Sequence, residues 1–392
     1  MKLLFSVPTG YHLRELVLPL RQYIENDSDI TGVYIVTPAA AVAQEIFSDF
    51  SSKFSYYENP KDMAGHEKLL QHLAPDIVIT DTVGHDELDY PLLKSAGALQ
   101  ISTLTFIASW DNVWKIGRLM QNKKPIHIAD HLIVWNTMMK SHLLRLIPSV
   151  REDQVIVIGA PRLDYFSHDD HIPSKDALFQ YLGFTDTSLP LLHFATTELY
   201  PLDYVVEAVI AAMQRGNIPR SHLYASVHPG GNMKKHQKLQ QLGVTVRFSF
   251  GRKDPAPHPA FAYRPTQEDI YMLVALFKHT NVLINHSSSV ALESMLAGQP
   301  VINITYGAPF DWIRWKRSPV SHDFKEHYVD VLADNGTYVA NNKKELIKAI
   351  DRALQNPKEK QAAVTSTLQR MVTTTDGTAS KKVLAEIKKY VS

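Results

Sequence analysis

Short apolar runs alternate along this chain with longer stretches in which apolar residues recur at helical spacing. In the first half, the runs that predict strands are 3–7, 33–36, 54–57, 76–79, 99–106, 132–135 and 154–158. In the second half they are 189–195, 224–227, 244–250, 282–284 and the run that follows Pro300. Strands that alternate with helices are typical of parallel sheets covered on both faces. The pattern predicts an α/β fold with two Rossmann-like parallel-sheet domains facing a central cleft, which is the natural binding site.

Length and one polar stretch predict the domain boundaries. At 392 residues the chain exceeds what a single hydrophobic core usually organises. After Phe166 the sequence turns polar, SHDDHIPSKD, as is typical of a linker. We expect one Rossmann-like domain at 1–166, a linker at 167–187, a second Rossmann-like domain at 188–375 and a C-terminal helix at 376–392.

Composition and charge exclude several classes of function. Lys and Arg number 41 against 40 Asp and Glu, which argues against a nucleic-acid partner bound through a broad basic surface. The chain has no cysteine, so disulfides, thiolate metal sites and cysteine nucleophiles are excluded. The first apolar run is broken by Pro8 and Gly10, which favours a buried strand over a secretion signal. A cytoplasmic protein is expected.

A cluster of three serines lies between an apolar run and a helical pattern in the stretch 280–304. At such a strand-to-helix turn, the hydroxyls of Ser287, Ser288 and Ser289 and the unpaired backbone N–H groups converge where the helix dipole favours negative charge. The turn therefore predicts a phosphate site. Glu293 follows about one helical turn later, within reach of a ribose. The alternative is that the serines only cap the helix.

A second polar loop, His228-Pro229-Gly230, follows the predicted strand at 224–227. The carboxyl ends of parallel strands meet at one edge of a sheet, so this loop and the serine turn are expected to surround one nucleotide phosphate. Histidine donates hydrogen bonds to phosphate and, when protonated, offsets the charge of a leaving group.

The segment 106–127 predicts a binding surface for a polar acceptor such as a sugar. An aromatic platform beside a carboxylate and cations suits that role. The residues concerned are Trp110, Asp111, Asn112 and Arg118. Gly10, in the turn after the first strand, is expected at the same edge. The alternative is that the tryptophans pack in the core.

Four blocks of the sequence together resemble the nucleotide-binding half of GT-B glycosyltransferases. They are HPGGN, TQEDIYMLVALFKHTNVLINHSSSVALESMLAGQPVI, VANNKKELIKAI and DGTAS. Within that fold the chain is most similar to bacterial surface-polysaccharide enzymes and their relatives, the CDP-glycerol glycerophosphotransferases. UDP-N-acetylglucosamine 2-epimerases share the fold, and VIVIGAPRLD resembles their domain-closing segment. The resemblance is patchy over 1–164 and close to continuous over 189–380.

The resemblance implies a role for each loop. The domain at 188–375 would bind a nucleotide-sugar donor: His228 contacts its phosphate with Thr196 nearby, the three serines bind phosphate, and Glu293 binds the ribose. The His-Pro and Ser-Ser pair is also similar to that of GT-B sialyltransferases and capsule polymerases that use CMP-sugars, so a CMP-linked or a UDP-linked donor is expected.

The resemblance also implies a general base on the first domain, which would bind the acceptor. Inverting GT-B enzymes remove the acceptor's proton with a carboxylate or histidine, which makes the hydroxyl a better nucleophile. Asp111 is the first candidate and His12 the second, since each follows a predicted strand. The alternatives are a turn or capping role for either residue.

The expected function is a glycosyltransferase that moves a sugar to a glycan or lipid-linked acceptor in the synthesis of a capsule or lipopolysaccharide. The nearest alternative is a CDP-glycerol-type glycerophosphotransferase, which attacks phosphorus rather than carbon. A 2-epimerase-like enzyme is less favoured because the chain begins with SVPTG where that family has GTRPE. A non-catalytic nucleotide-sugar binding subunit represents a different class.

No cofactor and no metal are expected, because the sequence has no HxH or HExxH pattern. No apolar run approaches the ~18 residues of a membrane helix. Peripheral contact with the inner face of a membrane is a further hypothesis, since aromatic and basic residues alternate over 312–317. The alternative for that segment is buried packing in a loop.

Overall fold

The computed structural model describes residues 1–81, 89–122 and 126–391, and these residues form two compact units. The first unit contains Met1–Ser167, Lys253–Pro265 and the chain from Val372 onward. The second contains His168–Arg252 and Thr266–Met371. Each unit is built on one parallel sheet, so the expected α/β fold with two Rossmann-like parallel-sheet domains is confirmed. No helix among the described residues is both long and apolar enough to cross a lipid bilayer.

The first sheet has seven parallel strands in the order β3-β2-β1-β4-β5-β6-β7. The strands are β1 Lys2–Ser6, β2 Gly32–Thr37, β3 Phe54–Glu58, β4 Ile77–Thr80, β5 Ser102–Phe106, β6 His131–Val134 and β7 Val155–Val157. Leu3 and Leu4 are consecutive and point to opposite faces, yet both are fully buried. Helices therefore cover both faces of the sheet, which explains why its strands are apolar throughout.

Among the described residues, seven α-helices connect these strands. They are α1 Gly10–His12, α2 Leu18–Asn26, α3 Ala40–Ile46, α4 Met63–Leu73, α5 Asp89–Ala98, α6 Asn112–Gln121 and α7 Thr137–Leu146. A π-type turn, Leu13–Val17, joins α1 to α2. Short polar side chains begin several of them: Asp62 accepts a hydrogen bond from the N–H of Gly65 at 2.8 Å, and Asn136 from that of Met139 at 2.8 Å.

The second sheet has six parallel strands in the order β10-β9-β8-β11-β12-β13. The strands are β8 Leu191–Ala195, β9 His222–Val227, β10 Thr245–Phe248, β11 Val282–Asn285, β12 Val301–Ile304 and β13 Tyr338–Ala340. The helices of this unit are α8 Lys175–Leu182, α9 Asp203–Gln214, α10 Gln237–Gln241, α11 Gln267–His279, α12 Val290–Leu296, α13 Trp312–Arg317, α14 Pro319–Asp323, α15 Val329–Leu332, α16 Lys343–Gln355 and α17 Gln361–Met371. The last helix of the chain, α18 Ala379–Lys389, belongs to the first unit.

Two segments differ from the sequence-based expectation. The stretch expected to be a linker contains α8, which Ser174 caps by accepting from the N–H of Ala177 at 3.3 Å. The polar residues SHDDHIPS precede α8, and Leu178, Phe179 and Leu182 of α8 itself are buried. The segment 312–317, expected to be a loop, is the helix α13. Six residues are too few for periodicity to distinguish a helix from a loop.

Two sequence motifs that lie far apart in the chain meet in the first unit. Both carboxylate oxygens of Asp164, in the GAPRLD segment, accept hydrogen bonds from α18: one from the N–H of Ala379 at 3.1 Å and the other from that of Ser380 at 2.6 Å. Arg162 forms a buried ion pair with Glu15 at 3.1 Å. The two motifs, GAPRLD and DGTAS, thus have a structural role, which is to hold the last helix and the helix after β1 in place.

The segment Lys253–Pro265, here called the strap, leaves the second unit after Arg252 and returns to it at Thr266. In between it packs on the first unit through two buried side chains. The ring of Phe261 packs on Phe47 at 6.1 Å between centroids, and that of Tyr263 packs on Tyr11 at 4.8 Å. The sequence showed this stretch only as a proline-rich connection.

Candidate functional site

The strand order of the second sheet reverses between β8 and β11, which are its first and fourth strands along the chain. In open α/β sheets, ligands bind outside the carboxyl ends of the strands at such a switch point. The loops after β8, β9 and β11 carry Thr196, His228 and Ser287 respectively. These three strands are neighbours, so the fold brings the three predicted loops to the same edge.

The first of these loops is fixed by main-chain hydrogen bonds. The N–H and the hydroxyl of Thr196 both donate to the carbonyl oxygen of Ser226, at 3.0 and 3.1 Å. This oxygen belongs to β9, so the contact ties the loop after β8 to the strand that leads to His228. Thr196 therefore positions the loops, and its hydroxyl already donates to the protein.

The geometry of the His228 loop selects one tautomer of the imidazole. His228 is exposed, and its Nδ1 accepts a hydrogen bond from the N–H of Gly230 at 3.1 Å. A ring nitrogen that accepts carries no proton, so the neutral ring holds its proton on Nε2. Nε2–H is the group that can donate to a phosphate oxygen. Pro229, in contrast, is buried, and its carbonyl oxygen accepts from Arg252 at 2.7 Å.

Glu198 stabilises the His228 loop through its carboxylate, a role that the sequence did not reveal. It accepts from the N–H of Asn232 at 2.9 Å and pairs with Lys235 at 2.6 Å and with His236 at 3.2 Å. Burial opposes the ionisation of Glu198, but these partners outweigh it and hold its pKa below the ordinary value. A Cβ at Gly231 would lie 2.8 Å from the Glu198 carboxylate, so this position requires glycine.

The serine turn does not act as a side-chain cap of α12. Ser289 stands at the N-cap position and makes no side-chain capping hydrogen bond. The hydroxyl of Ser287 instead donates to Asp323 at 2.7 Å, and the N–H of Ser288 donates to Asn285 at 3.1 Å. The alternative that the serines serve only to cap the helix is therefore not supported, but the Ser287 hydroxyl donates to a carboxylate that the sequence did not single out.

A buried polar network supports the turn from beneath. Asn285 donates to Asn303 at 3.2 Å, Tyr328 donates to the same oxygen at 2.8 Å, and Asn303 donates to Thr337 at 2.8 Å. All four side chains are almost fully buried. A network whose members are paired in this way is rigid, so the serine turn is held in a defined conformation.

Glu293, which was expected within reach of a ribose, is 2% exposed. The neighbouring residues of α12, Ala291–Met295, are buried as well. Helical spacing from Ser289 placed Glu293 one turn from the phosphate, but it did not indicate how deeply the helix is buried.

In the first unit the corresponding switch point lies between β1 and β4. The short helix α1 after β1 ends at His12, and β4 is followed directly by Asp81. The Nδ1 atom of His12 contacts the carboxylate of Asp81. Asp81 is 4% exposed, so a buried carboxylate holds one ring nitrogen while the other is directed away from it. A histidine oriented in this way is suited to accept a proton.

Asp111, the first candidate base, is engaged by residues of its own segment. Its carboxylate accepts from the hydroxyl of Ser109 and pairs with Lys115 at 3.2 Å. Lys115 also donates to Asn112 at 2.7 Å. Asp111 stands at the N-cap position of α6 and makes no side-chain capping hydrogen bond, so its carboxylate is held within its own turn by Ser109 and Lys115.

Two acceptor residues also have structural roles. Trp110 is 2% exposed and packs in the first unit, so it does not form the exposed platform that was expected. Its position after an apolar strand is equally typical of core packing, and the structure selects that alternative. At Gly10 a Cβ would lie 1.6 Å from the carbonyl oxygen of Tyr263, so glycine is required there by the strap. Arg118 is exposed on α6.

Within the described ranges, no three His, Asp or Glu side chains gather in an arrangement that could hold a metal ion.

Comparison with known proteins places these features in a family context. Residues 262–389 match the family model of CDP-glycerol:poly(glycerophosphate) glycerophosphotransferases. The match includes the end of the strap, the serine turn and α18. No curated protein sequence matches the chain significantly.

Solved structures with similar folds cover nearly the whole chain. A UDP-GlcNAc 2-epimerase from Neisseria meningitidis bound to UDP-GlcNAc is 15% identical, with a TM-score of 0.65 over 99% of this chain and 100% of that chain. A glycosyltransferase from Rickettsia africae ESF-5 is 14% identical, with a TM-score of 0.57 over 100% and 98%. The wall teichoic acid polymerase TagF soaked with CDPG is 11% identical, with a TM-score of 0.60 over 100% and 88%.

At these identities the structural likeness establishes the fold. Together with the family match over 262–389, it confirms the predicted resemblance to GT-B enzymes of surface-polysaccharide synthesis. The chain is therefore a transferase with the GT-B fold.

Proposed function

We propose that this chain transfers a group from a cytidine- or uridine-linked donor to a glycan or lipid-linked acceptor in surface-polysaccharide synthesis, at the inner face of a membrane. The observation that carries the proposal is the convergence of the loops after β8, β9 and β11 at the switch point of the second sheet. Of these loops, the one after β11 lies within the family match at 262–389. The donor's phosphate would lie between His228 and the serine turn, with Nε2–H of His228 as one hydrogen-bond donor to it.

For the transferred group, the family match favours glycerol phosphate from a CDP-linked donor. Sugar transfer from a CMP- or UDP-linked donor is the second candidate, supported by the resemblance of the His-Pro and Ser-Ser motifs. In both reactions a nucleotide leaves, so the same residues of the second unit would serve either. The two reactions differ in whether the acceptor attacks phosphorus or carbon.

His12 would act as the general base, with Asp81 holding its ring in place. It would take the proton of the acceptor hydroxyl while the oxygen attacks the donor. The bond to the nucleotide then breaks, and its electron pair remains on the nucleotide phosphate. A hydrogen bond from His228 to that phosphate stabilises the charge as it develops.

A thermal-shift panel with CMP, CDP, UDP, GDP and ADP tests the donor site. A nucleotide at a hundred times its Kd should stabilise the folded chain by about 2.7 kcal/mol. The double variant Ser288→Ala/Ser289→Ala should lose that stabilisation. Ser141→Ala, an exposed serine on α7 of the first unit, should retain it and serves as the matched control. A nucleotide effect that survives the double variant, or no response to any nucleotide, would contradict the proposed donor site.

Product analysis then separates the two candidates. Incubation with CDP-glycerol, a CMP-sugar or a UDP-sugar, each with a lipid-linked glycan acceptor, should release the nucleotide from one of them. Release of CMP from CDP-glycerol with a new phosphodiester on the acceptor supports glycerophosphate transfer. Release from a sugar donor with a new glycosidic bond supports the second candidate.

A further inference from the structure

We propose that an exposed aromatic and basic surface on the second unit binds anionic lipid. This lipid-facing surface comprises Leu199, Phe310, Trp312 and Ile313 together with the cations Arg314, Lys316 and Arg317. This surface is where the chain would meet a membrane that carries a lipid-linked acceptor. Its biological purpose therefore rests on the proposed function. The lipid binding itself needs neither donor nor catalysis.

The apolar side chains of this surface are unusually exposed. Leu199 is 51% exposed, Trp312 64%, Ile313 49%, and Phe310 is completely exposed. They make up half of the large apolar side chains that stand out from the surface in the described part of the chain, and the other four are Met120, Tyr181, Val329 and Val339. Single exposed apolar residues are ordinary, whereas a group of them beside charged residues marks an interaction site.

Tyr200 joins Leu199 to the 310–313 segment. Its hydroxyl accepts from the N–H of Ala308 at 2.9 Å and donates to Asp311 at 3.1 Å. Its ring packs against Trp315 at 5.1 Å, with the guanidinium of Arg314 over it at 5.5 Å. Leu199 therefore precedes a residue that is anchored to the segment carrying Phe310, Trp312 and Ile313, and this segment has an ordered support.

Phe310 has a backbone conformation that bulky residues rarely adopt. Its φ is +63°, in the left-handed region, while its side chain is surrounded by solvent. No burial within the folded chain offsets this unfavourable conformation. Outliers of this kind cluster at functional sites. A phenylalanine held at a loop tip in this way is suited to enter an apolar phase outside the protein.

The charges beside these residues determine the kind of partner. Arg314, Lys316 and Arg317 are exposed on α13, and Lys316 lies over the ring of Trp312 at 5.3 Å. The one carboxylate of this segment, Asp311, is engaged by Tyr200 and lies 3.7 Å from Arg314. Tryptophan and phenylalanine with adjacent cations are typical of segments that insert at the boundary of an anionic membrane. The complementary partner is therefore a lipid surface with acidic headgroups.

The surface lies beside the proposed donor site. The segment that carries it follows β12, and the ring of Trp315 packs on that of His286 at 5.5 Å, directly before the serine turn. Contact with lipid through this surface would bring the carboxyl edge of the second sheet to the membrane.

Sedimentation of the full chain with vesicles tests the inference. The probes are phosphatidylcholine vesicles with and without phosphatidylglycerol, and no nucleotide is present. The chain should sediment with the anionic vesicles and remain in solution with the neutral ones. The triple variant Phe310→Ser/Trp312→Ser/Ile313→Ser should bind anionic vesicles at least about tenfold more weakly. The double variant Lys316→Gln/Arg317→Gln should also bind more weakly, and its residual binding should depend less on salt.

Two controls distinguish loss of this surface from a general effect of the substitutions. Tyr181→Ser/Val329→Ser removes apolar side chains that are 48% and 41% exposed elsewhere on the second unit, and this variant should bind as the unmodified chain does. Unchanged thermal unfolding of the triple variant shows that it is folded.

The proposal is overturned if the unmodified chain does not bind anionic vesicles. It is also overturned if a folded triple variant binds them as strongly as the unmodified chain does. It is also overturned if the triple variant only abolishes self-association in sedimentation equilibrium, since the surface would then bind a second copy. Nucleotide binding is measured separately in the thermal-shift panel. Failure of the lipid-binding proposal can therefore be told apart from failure of the proposed donor site.

Discussion

The carbonyl oxygen of Tyr263 occupies the space that a side chain at Gly10 would need. An ideal Cβ at position 10 would lie 1.6 Å from it. Gly10 begins the turn that carries His12, and Tyr263 belongs to the strap, whose two ends are both joined to the second unit. Arg252, the last residue of the second unit before the strap, donates to the carbonyl oxygen of Pro229 in the His228 loop. Glycine is therefore required at position 10 for the strap to pack on this turn.

Gly10→Ala should displace the strap. Because the nearby group is backbone and cannot rotate away, we expect the unfolding free energy to fall by about 1–3 kcal/mol and transfer activity to fall with it. Denaturant titration and initial rates measure the two effects. Gly32→Ala is the matched control, since its Cβ would lie 3.5 Å from the hydroxyl of Tyr34, an ordinary contact. Equal effects at positions 10 and 32 would show that the strap does not constrain this turn.

His12→Gln should lower kcat by about 10²- to 10⁴-fold, as expected for loss of a general base. Asp81→Asn should lower kcat less, because the ring keeps its proton-accepting nitrogen but loses the carboxylate that orients it. The KM for the donor should remain unchanged in both, since neither residue lies in the second unit. Steady-state kinetics with the donor identified by product analysis check this. If Asp111→Asn lowers kcat more than His12→Gln does, the assignment of the base is reversed.

Asp323→Asn should strengthen the binding of nucleoside diphosphates. The carboxylate accepts the Ser287 hydroxyl at 2.7 Å, so it places a negative charge beside the turn where the phosphate is proposed to lie. Its replacement by an amide removes that repulsion and keeps an oxygen acceptor for Ser287. Isothermal titration with CDP at low and high salt should show the gain and its reduction by salt. Asp351→Asn on α16 removes one negative charge away from the turn and serves as the control. An identical gain in nucleotide affinity there would show that the effect comes from the net charge of the protein rather than from the position of Asp323.

Two buried histidines should make the chain less stable in mild acid. Burial lowers the pKa of His286 to about 4 and that of His193 to about 3. In the unfolded chain both have a pKa of about 6.5, so between that pH and about 4 the unfolded state binds protons that the folded state does not. The unfolding free energy should be highest above pH 6.5 and fall below it, by up to about 1.4 kcal/mol per pH unit for each histidine.

Denaturant titrations from pH 7 to pH 4.5 measure this dependence. His193→Gln should reduce the slope by up to one proton, whereas His72→Gln, an exposed histidine, should leave it as it is. Identical slopes in the unmodified chain and in His193→Gln would exclude His193 as a source of the acid sensitivity.

Asp164→Ala should destabilise the first unit by loosening α18. The substitution leaves the buried N–H groups of Ala379 and Ser380 without their acceptor, at about 1–3 kcal/mol each. Asp62→Ala removes an exposed cap from α4 and should cost only about 1 kcal/mol. Chemical denaturation measures both, and amide hydrogen exchange in α18 shows where the loss occurs. Equal costs would mean that Asp164 contributes no more than an ordinary cap.

Local pattern was sufficient for much of the candidate site. Apolar runs placed the strands, and the parallel arrangement then required Thr196, His228 and the serines to reach one edge of the second sheet. The sequence could not show that the Ser287 hydroxyl donates to Asp323, because 36 residues separate them. Nor could it show that Glu198 supports the His228 loop, since a lone glutamate after a strand carries no distinguishing signal.

The sequence by itself determined which stretches become strands and helices, because burial on both faces of a sheet or on one face of a helix leaves a periodic record in neighbouring positions. It therefore determined the fold class, whereas the resemblance to GT-B enzymes came from four particular blocks of the sequence. Only the tertiary structure decided that Trp110 and Glu293 are buried, that Asp81 meets His12 and that the strap rests on Gly10. These relationships join residues far apart in the chain, and they depend on how complete elements pack, which local periodicity does not record.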